Sequence, residues 1–317
     1  LLLFTIDVGA FILAGGIMPI YAVIFVSGIA RGFISPANFS FMPQLVPREL
    51  YNNAITWNST LWETAAIGGP AIGGFLFGFF GMSTAYAVDV ALTLLGLFTV
   101  LRVTNRPVPP ESEEQGIYEK IKAGLRFVFT HKMVLSAMSL DLFAVLFGGA
   151  VALLPIFASE ILFVGPQGLG ILRSAPSIGA LLVALYIAHR PIQKHMGAIL
   201  FWCVAGFGFC MIGFGLSTHF WLSLVLLIAS GGFDCISVII RGTLLQTLTP
   251  ENMKGRVSAV NHIFIGSSNE IGAFESGAAA RLMGVVPSVV FGGCMTIAVV
   301  ATTAWASKSL RQLQKLD

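Results

Sequence analysis

The chain has 317 residues, of which 56% are hydrophobic and only 10% are charged. A soluble protein carries about 25% charged residues, so this composition excludes a soluble enzyme, a disulfide-stabilised secreted domain and a disordered tail. The net charge of +3 gives no sign of nucleic-acid binding, while the 26 Phe and 35 Gly residues suit helices packed in a lipid bilayer.

Hydropathy divides the sequence into ten apolar stretches separated by short polar breaks. Most of them reach the roughly 20 residues that a transmembrane helix needs, and the alternating pattern of β-barrel strands is absent. We therefore predict an all-α membrane protein. The predicted spans, numbered one to ten in chain order, are residues 1–14, 20–45, 54–80, 84–101, 133–156, 167–188, 197–216, 220–245, 257–282 and 287–306.

The positive charges are distributed unevenly between the two sides of these spans. Fourteen of the 18 Lys and Arg residues lie in the breaks after even-numbered spans, or in the tail after the tenth. The breaks after odd-numbered spans are short and almost uncharged. Because cytoplasmic loops carry the excess of Lys and Arg, we expect the even breaks and both chain ends to face the cytoplasm.

The longest break, residues 102–132, separates an N-terminal half bundle of four spans (1–101) from a C-terminal half bundle of six (133–317). Its first part is proline-rich and acidic, which predicts a flexible linker. Its second part places apolar residues on one helical face and Lys120, Lys122 and Arg126 elsewhere. That pattern fits a helix lying on the inner membrane surface, and fits equally an amphipathic helix packed on the protein's own loops.

A shift of 203 residues reveals an internal repeat. It aligns Pro47 with Pro250 and Gly81 with Gly284, so that spans two and three correspond to spans eight and nine. Since three spans lie between the linker and the eighth span, the repeat predicts three before the second, where only one is present. We expect a twelve-span arrangement of two six-helix halves, as in transporters, whose first two spans precede Leu1.

Motifs of enzyme or metal chemistry do not occur in the sequence. The four cysteines, Cys203, Cys210, Cys235 and Cys294, lie in apolar runs without zinc-type spacing, so we interpret them as small packing residues. A phosphate-binding loop, a nucleophile elbow and the HExxH metal motif are all missing. We therefore predict neither enzymatic activity nor a cofactor or metal.

Three segments resemble a known family. They are Gln44-Leu-Val-Pro-Arg-Glu-Leu50 with the following Asn52-Asn-Ala54, the cytoplasmic segment 245–257, and Ala123-Gly-Leu-Arg-Phe-Val128. They are similar to the major facilitator superfamily, in the branch that contains the bacterial enterobactin exporter. This resemblance implies two six-helix domains with alternating access, proton-driven export of a small molecule, and a location in the bacterial inner membrane.

The third span contains Gly69-Pro-Ala-Ile-Gly-Gly74, which resembles the core Gly-Pro-x-x-Gly-Gly of the superfamily's antiporter signature. The functional interpretation is a bent, leak-tight helix between the two halves, because Pro70 removes a helix hydrogen bond. Gly69, Gly73 and Gly74 also allow close helix contact, so plain packing explains the motif as well.

Ionisable residues within spans are costly and are therefore candidates for function. By the resemblance, the first and fourth helices of each half line the cavity, which favours Arg31, Asp141, Asp234 and Arg241. We expect Asp141 to bind the coupled proton and to pair with Arg31 or Arg241 across the cavity. A permanent ion pair that locks the halves together is the structural alternative. The other candidates for proton coupling are Asp234, Glu63 and Glu270, and the candidates for the substrate cavity are Arg31, Asn38 and Arg241.

These observations lead to one functional hypothesis and two alternatives. The hypothesis is a monomeric secondary transporter that exports a siderophore-like or drug-like molecule in exchange for protons. The first alternative is a membrane sensor or assembly protein built on a transporter fold, and the second is an importer of the same fold.

Overall fold

The structure is a computed structural model. It describes residues 21, 25, 26, 28, 29, 51–102, 117–190, 192, 194–250, 253–311 and 313. The first predicted span and nearly all of the second lie outside these residues. Within the described part of the chain the regular structure is entirely helical, which confirms the predicted all-α class.

Helix α1, Tyr51–Leu101, contains the third and fourth predicted spans. Its helical geometry is interrupted at Gly81, where φ is 81° and ψ is 171°. The repeat partner, Gly284, has nearly the same conformation, with φ 92° and ψ 161°. Only glycine adopts this region readily, so the two halves make the same backbone turn at equivalent positions.

Helix α2, Ile117–Thr130, packs its apolar face on the protein itself. Val128 is fully buried in a cluster with Val134, Met138, Val257 and Val260. The outward side of the helix carries the exposed Lys122 and Arg126. Of the two interpretations of this amphipathic segment, the structure therefore supports packing on neighbouring parts of the chain.

The C-terminal half contains the remaining helices. They are α3 (Lys132–Gly148), α4 (Gly165–His189), α5 (Met196–Leu216), α6 (Phe220–Leu248), α7 (Lys254–Met283), α8 (Val285–Ala306) and the short α9 (Lys308–Arg311). Between α3 and α4 lies an irregular segment, residues 150–161. It consists of a 3-10 turn (Ala150–Leu153), a single α turn (Leu154–Ile156) and a π turn (Phe157–Ile161).

The fifth predicted span is therefore wrong in one respect, because residues 133–156 are not one continuous helix. The α-helix ends at Gly148, and Gly149 follows with φ −75° and ψ 59°. Two adjacent glycines weaken a helix through backbone entropy, and Pro155 cannot donate a helical hydrogen bond. Together they explain why the regular helix stops before the end of the apolar stretch.

Six helical segments of the described chain are long and apolar enough to cross a membrane. They are Ser83–Leu101, Lys132–Ile161, Gly165–Ile187, Met196–Leu216, Phe220–Leu245 and Val285–Ala306. Helix α7 has 30 residues but falls outside this group, since polar residues such as Asn261, Ser268 and Glu270 interrupt its hydropathy.

The described residues form two compact units. One contains α1 except Ala66–Ala71, and the other contains those residues together with α2 to α9. In the second unit, α4 and α6 are in direct backbone contact, because a side chain at Gly179 would overlap the carbonyl of Ile228. The same applies to Gly231 on α6 and the carbonyl of Pro176 on α4. Small residues thus set the spacing of this helix pair.

Candidate functional site

A buried ion pair lies inside the second unit. The carboxylate of Asp141 on α3 accepts a charged contact from the guanidinium of Arg241 on α6. Arg241 Nε also donates hydrogen bonds to the carbonyl oxygen and to Oγ of Ser237, each at 3.3 Å. Both charged residues are buried, so each charge has its compensation nearby in a low-dielectric interior.

Asp234 lies on the same face of α6, seven residues before Arg241. It is close enough to both Asp141 and Arg241 to interact electrostatically with each of them. Arg241 is thus ion-paired with Asp141, and the second carboxyl group, Asp234, lies close enough to be influenced by both charges.

A cavity of about 550 Å³ opens beside this charged group. Its volume falls within the range of about 300–1,000 Å³ that small-molecule sites occupy. Phe207, Met211 and Leu227 give it an apolar wall, while Arg173, Asn269 and Glu270 bring polar groups. The other lining residues are Val145, Gly148, Gly149, Ala150, Val151, Ala152, Pro176, Ser230, Gly231, Asp234 and Ala273.

The end of α3 and the start of the irregular segment form one side of this cavity. Gly149 has its carbonyl satisfied by Ser276 Oγ of α7, which donates at 3.3 Å. Thr296 Oγ1 of α8 donates to the carbonyls of Ala144 at 3.2 Å and Gly292 at 3.0 Å. Irregular backbone is tolerated within a membrane where it is buried in protein or lines a cavity, and the first residues of this segment, Ala150, Val151 and Ala152, line the cavity.

Glycines let the neighbouring helices approach the broken end of α3. A side chain at Gly292 would overlap the carbonyl of Phe147, and a Cβ at Gly272 would lie 2.9 Å from the carbonyl oxygen of Leu146. The end of α3 is therefore held between α7 and α8 by backbone contact. This contact fixes the position of the cavity wall.

Several predicted residues come together in this region. Asp141, Asp234 and Arg241 form one charged group, and Glu270 lines the adjacent cavity. The partner of Asp141 is Arg241, and both belong to the second unit, so their pair does not lock the halves together. Arg241 is buried against Asp141 and does not line this cavity, and its place in the substrate cavity stays a prediction.

Other predicted residues cannot be placed in this way. Arg31 and Asn38 lie outside the described residues, as do the side chains of Glu63 and Pro70. A Cβ at Gly69 or Gly73 would meet no described atom within 4 Å, and Gly74 is partly buried. The roles suggested for the antiporter-like motif thus remain predictions.

Some residues of the site were not predicted. Ser237 was not predicted, because a serine within a helix does not by itself indicate a functional site. Its position four residues before Arg241 is the sequence feature that indicates the contact between the two side chains. Phe207 and Met211 looked like ordinary apolar core. The described residues contain no group of three His, Cys, Asp or Glu side chains that could hold a metal ion.

These features define a multi-pass helical membrane protein in which one bundle carries a ligand-sized cavity and buried, paired charges. A sequence profile described as "Transmembrane secretion effector" matches residues 4–317. The chain belongs to this family, which is a branch of the major facilitator superfamily.

Curated relatives are consistent with that membership. The enterobactin exporter EntS of Shigella dysenteriae serotype 1 (strain Sd197) is 26% identical over 275 residues, or 85% of this chain and 65% of the relative. The enterobactin exporter EntS of Salmonella typhi is 26% identical over 280 residues, or 87% and 67% of the two chains. That of Escherichia coli O139:H28 (strain E24377A / ETEC) is 26% identical over 275 residues, or 85% and 65%. The chain thus spans about two thirds of the length of these relatives.

Proposed function

We propose that this protein is a secondary active transporter, and not an enzyme, that exports a small molecule across the bacterial inner membrane in exchange for protons. The observation that carries the proposal is the cavity of about 550 Å³ next to the buried Asp141–Arg241 pair. Ionisable groups inside a membrane bundle cost folding free energy, so their presence indicates a function. An ion-paired acid beside a ligand-sized cavity is the arrangement that proton-coupled transport needs.

Asp141 is the residue that we assign to the coupled proton. When its carboxylate is charged, it holds Arg241, and a proton on Asp141 frees the guanidinium to turn towards Asp234. The carrier then has two arrangements of the same three side chains, each with its charge compensated. Alternating access requires such a pair of states whose populations a proton or substrate can shift.

The cavity supports an amphipathic substrate. Phe207 and Met211 offer an aromatic and a polarisable surface, while Arg173 provides the cation of the lining and Asp234 and Glu270 provide anions. Arg241 is occupied by Asp141, so Arg173 is the better candidate to attract an anionic substrate group. The relatives carry the name enterobactin exporter, which favours a siderophore-like substrate over other small molecules.

The organisation of the full-length protein follows from the same proposal. We place the two half bundles, 1–101 and 133–317, on either side of a cytoplasmic linker, with both chain ends in the cytoplasm and the protein acting as a monomer. The support is the charge asymmetry of the breaks and the common glycine turn at Gly81 and Gly284.

Export by the full-length protein in bacterial cells tests this function. Cells that lack their own siderophore exporter and make enterobactin should secrete it when they express the protein, and should secrete less with Asp141→Asn. Equal secretion with and without the protein would reject siderophore export. Retention of enterobactin together with membrane-embedded, folded protein would favour the sensor or assembly alternative, and net uptake would favour an importer.

A further inference from the structure

A second, much smaller void is bordered by Asp141 of the ion pair and shares wall residues with the cavity. Its volume is about 10 Å³, which is close to the space that a single water molecule needs. Three polar side chains border it, namely Asp141, Asp234 and Ser237. A buried water makes two to four hydrogen bonds, and these side chains offer that number of partners.

The void and the cavity share three wall residues. Val145, Phe207 and Asp234 line both spaces, and of these three only Asp234 can bind or release a proton. Asp141 borders the void but is absent from the cavity lining. Asp234 is therefore the acidic residue that borders both spaces, while Asp141 borders the void alone.

We propose that Asp234 passes protons between the cavity and the Asp141–Arg241 pair through a water molecule held in this void. The proposal rests on the proposed proton coupling at Asp141. A proton from cavity water binds the Asp234 carboxylate, and Asp234 releases a proton to the water in the void. That water gives a proton to the Asp141 carboxylate, so that Asp234 and the water end unchanged. Release of the proton follows the same steps in reverse.

The other charged and titratable groups around this path are known from the lining residues. Arg241 on α6 faces Asp141, and Cys203 on α5 borders the void. Arg173 on α4 and Glu270 on α7 line the cavity together with Asp234. Ser237 Oγ accepts a hydrogen bond from Arg241 Nε, which leaves its own hydroxyl hydrogen available to the void.

Infrared difference spectroscopy after a pH jump, on full-length protein in lipid nanodiscs, measures the step directly. The carbonyl band of the protonated Asp141 is identified by its loss in Asp141→Asn. In Asp234→Asn this band should still form, but more slowly by about 100-fold or more, the scale of a positioned acid–base group. Asp234→Glu should restore most of the rate.

A steric pair of variants tests the path through the void. Cys203→Leu fills the void and should slow the Asp141 band as Asp234→Asn does. Cys210→Leu adds the same volume two turns further along α5, at a buried residue that does not border the void, and should leave the rate unchanged. Equal slowing by both leucine variants would indicate a general packing effect and would reject the path.

The outcomes separate this inference from the proposed function. An unchanged rate in Asp234→Asn, with the Asp141 band present, would overturn the relay and leave proton binding at Asp141 intact. Absence of any band that Asp141→Asn removes would reject proton binding at Asp141 itself. Should Cys203→Leu fail to fold, the comparison of Asp234→Asn with Asp234→Glu still decides the question.

Discussion

Substitution of Gly272 by Ala should destabilise the protein, whereas the same change at Gly277 on the same helix should not. A Cβ at Gly272 would lie 2.9 Å from the carbonyl oxygen and 3.1 Å from the Cα of Leu146 on α3, and both are backbone atoms that cannot rotate away. A Cβ at Gly277 would meet no atom of the described residues within 4 Å. The two sites therefore differ in packing while sharing the helix.

The magnitude follows from two opposing effects. Removal of Gly from a helix interior stabilises it by about 0.5–1 kcal/mol at either site. Overpacking a tight contact costs about 1–3 kcal/mol, because non-bonded heavy atoms need about 3.5 Å and the helices must part by roughly half an ångström. We expect Gly272→Ala to lose about 1–2 kcal/mol net and Gly277→Ala to gain up to about 1 kcal/mol.

Thermal unfolding of the purified full-length variants in one detergent measures this difference. The melting temperature should fall for Gly272→Ala and stay level or rise for Gly277→Ala. The valine variants offer a stronger form of the comparison, since their intrinsic helix cost is the same at both sites. Equal melting temperatures for the two valine variants would refute the assigned contact between α7 and α3.

Three further predictions concern the charges, the repeat and the topology. Asp234→Asn leaves the Asp141–Arg241 ion pair intact and should cost little, whereas the double variant Asp141→Asn with Asp234→Asn should lose about 3–5 kcal/mol of unfolding free energy because the guanidinium is then uncompensated. An equally large loss in Asp234→Asn alone would contradict this assignment. Gly81→Ala and Gly284→Ala should each cost about 1–3 kcal/mol in a thermal unfolding assay, since alanine is strained at these dihedral angles, and a neutral change at Gly284 would refute the strain. A cysteine placed at Gln115 should resist an impermeant thiol reagent added to intact cells while one at Gly165 reacts, and equal labelling would overturn the orientation.

The approximate positions of the helices could be predicted from the sequence, because long apolar stretches give a strong hydropathy signal. The same holds for the break at Gly81, where a glycine closes an apolar run and recurs at Gly284 under the repeat. A glycine at the end of an apolar run is enough to predict a break at such positions, since only glycine adopts those dihedral angles at low energetic cost.

The residue at which helix α3 ends was harder to predict from the sequence. Gly148, Gly149 and Pro155 were visible in the sequence, but an apolar run continues to Ile156 and hydropathy does not register loss of helical geometry. The hydroxyl groups that bond carbonyls at the end of α3 are distant in the chain, since Ser276 donates to Gly149 and Thr296 donates to Ala144. Contacts of that sequence separation cannot be read from local spacing.

The partners of the charged residues show the same limit. Depth in the span and helical face are sufficient to identify Asp141, Asp234 and Arg241 as candidates in the sequence. They do not distinguish Arg31 from Arg241 as the partner of Asp141, because the packing of α3 against α6 decides between them. The cavity walls formed by Phe207 and Met211 were likewise indistinguishable from core until the helices were placed.

The most direct test of the central claim is proton movement during transport. Full-length protein is reconstituted in liposomes that contain a pH-sensitive dye. Enterobactin, the siderophore probe, is added outside while the liposome interior is made either more acidic or less acidic than the external buffer. We predict that the gradient drives probe accumulation, that probe addition alone moves protons in the opposite direction, and that Asp141→Asn abolishes both. Probe flux of the same size with and without a pH gradient, and unchanged in Asp141→Asn, would contradict proton-coupled export through this site.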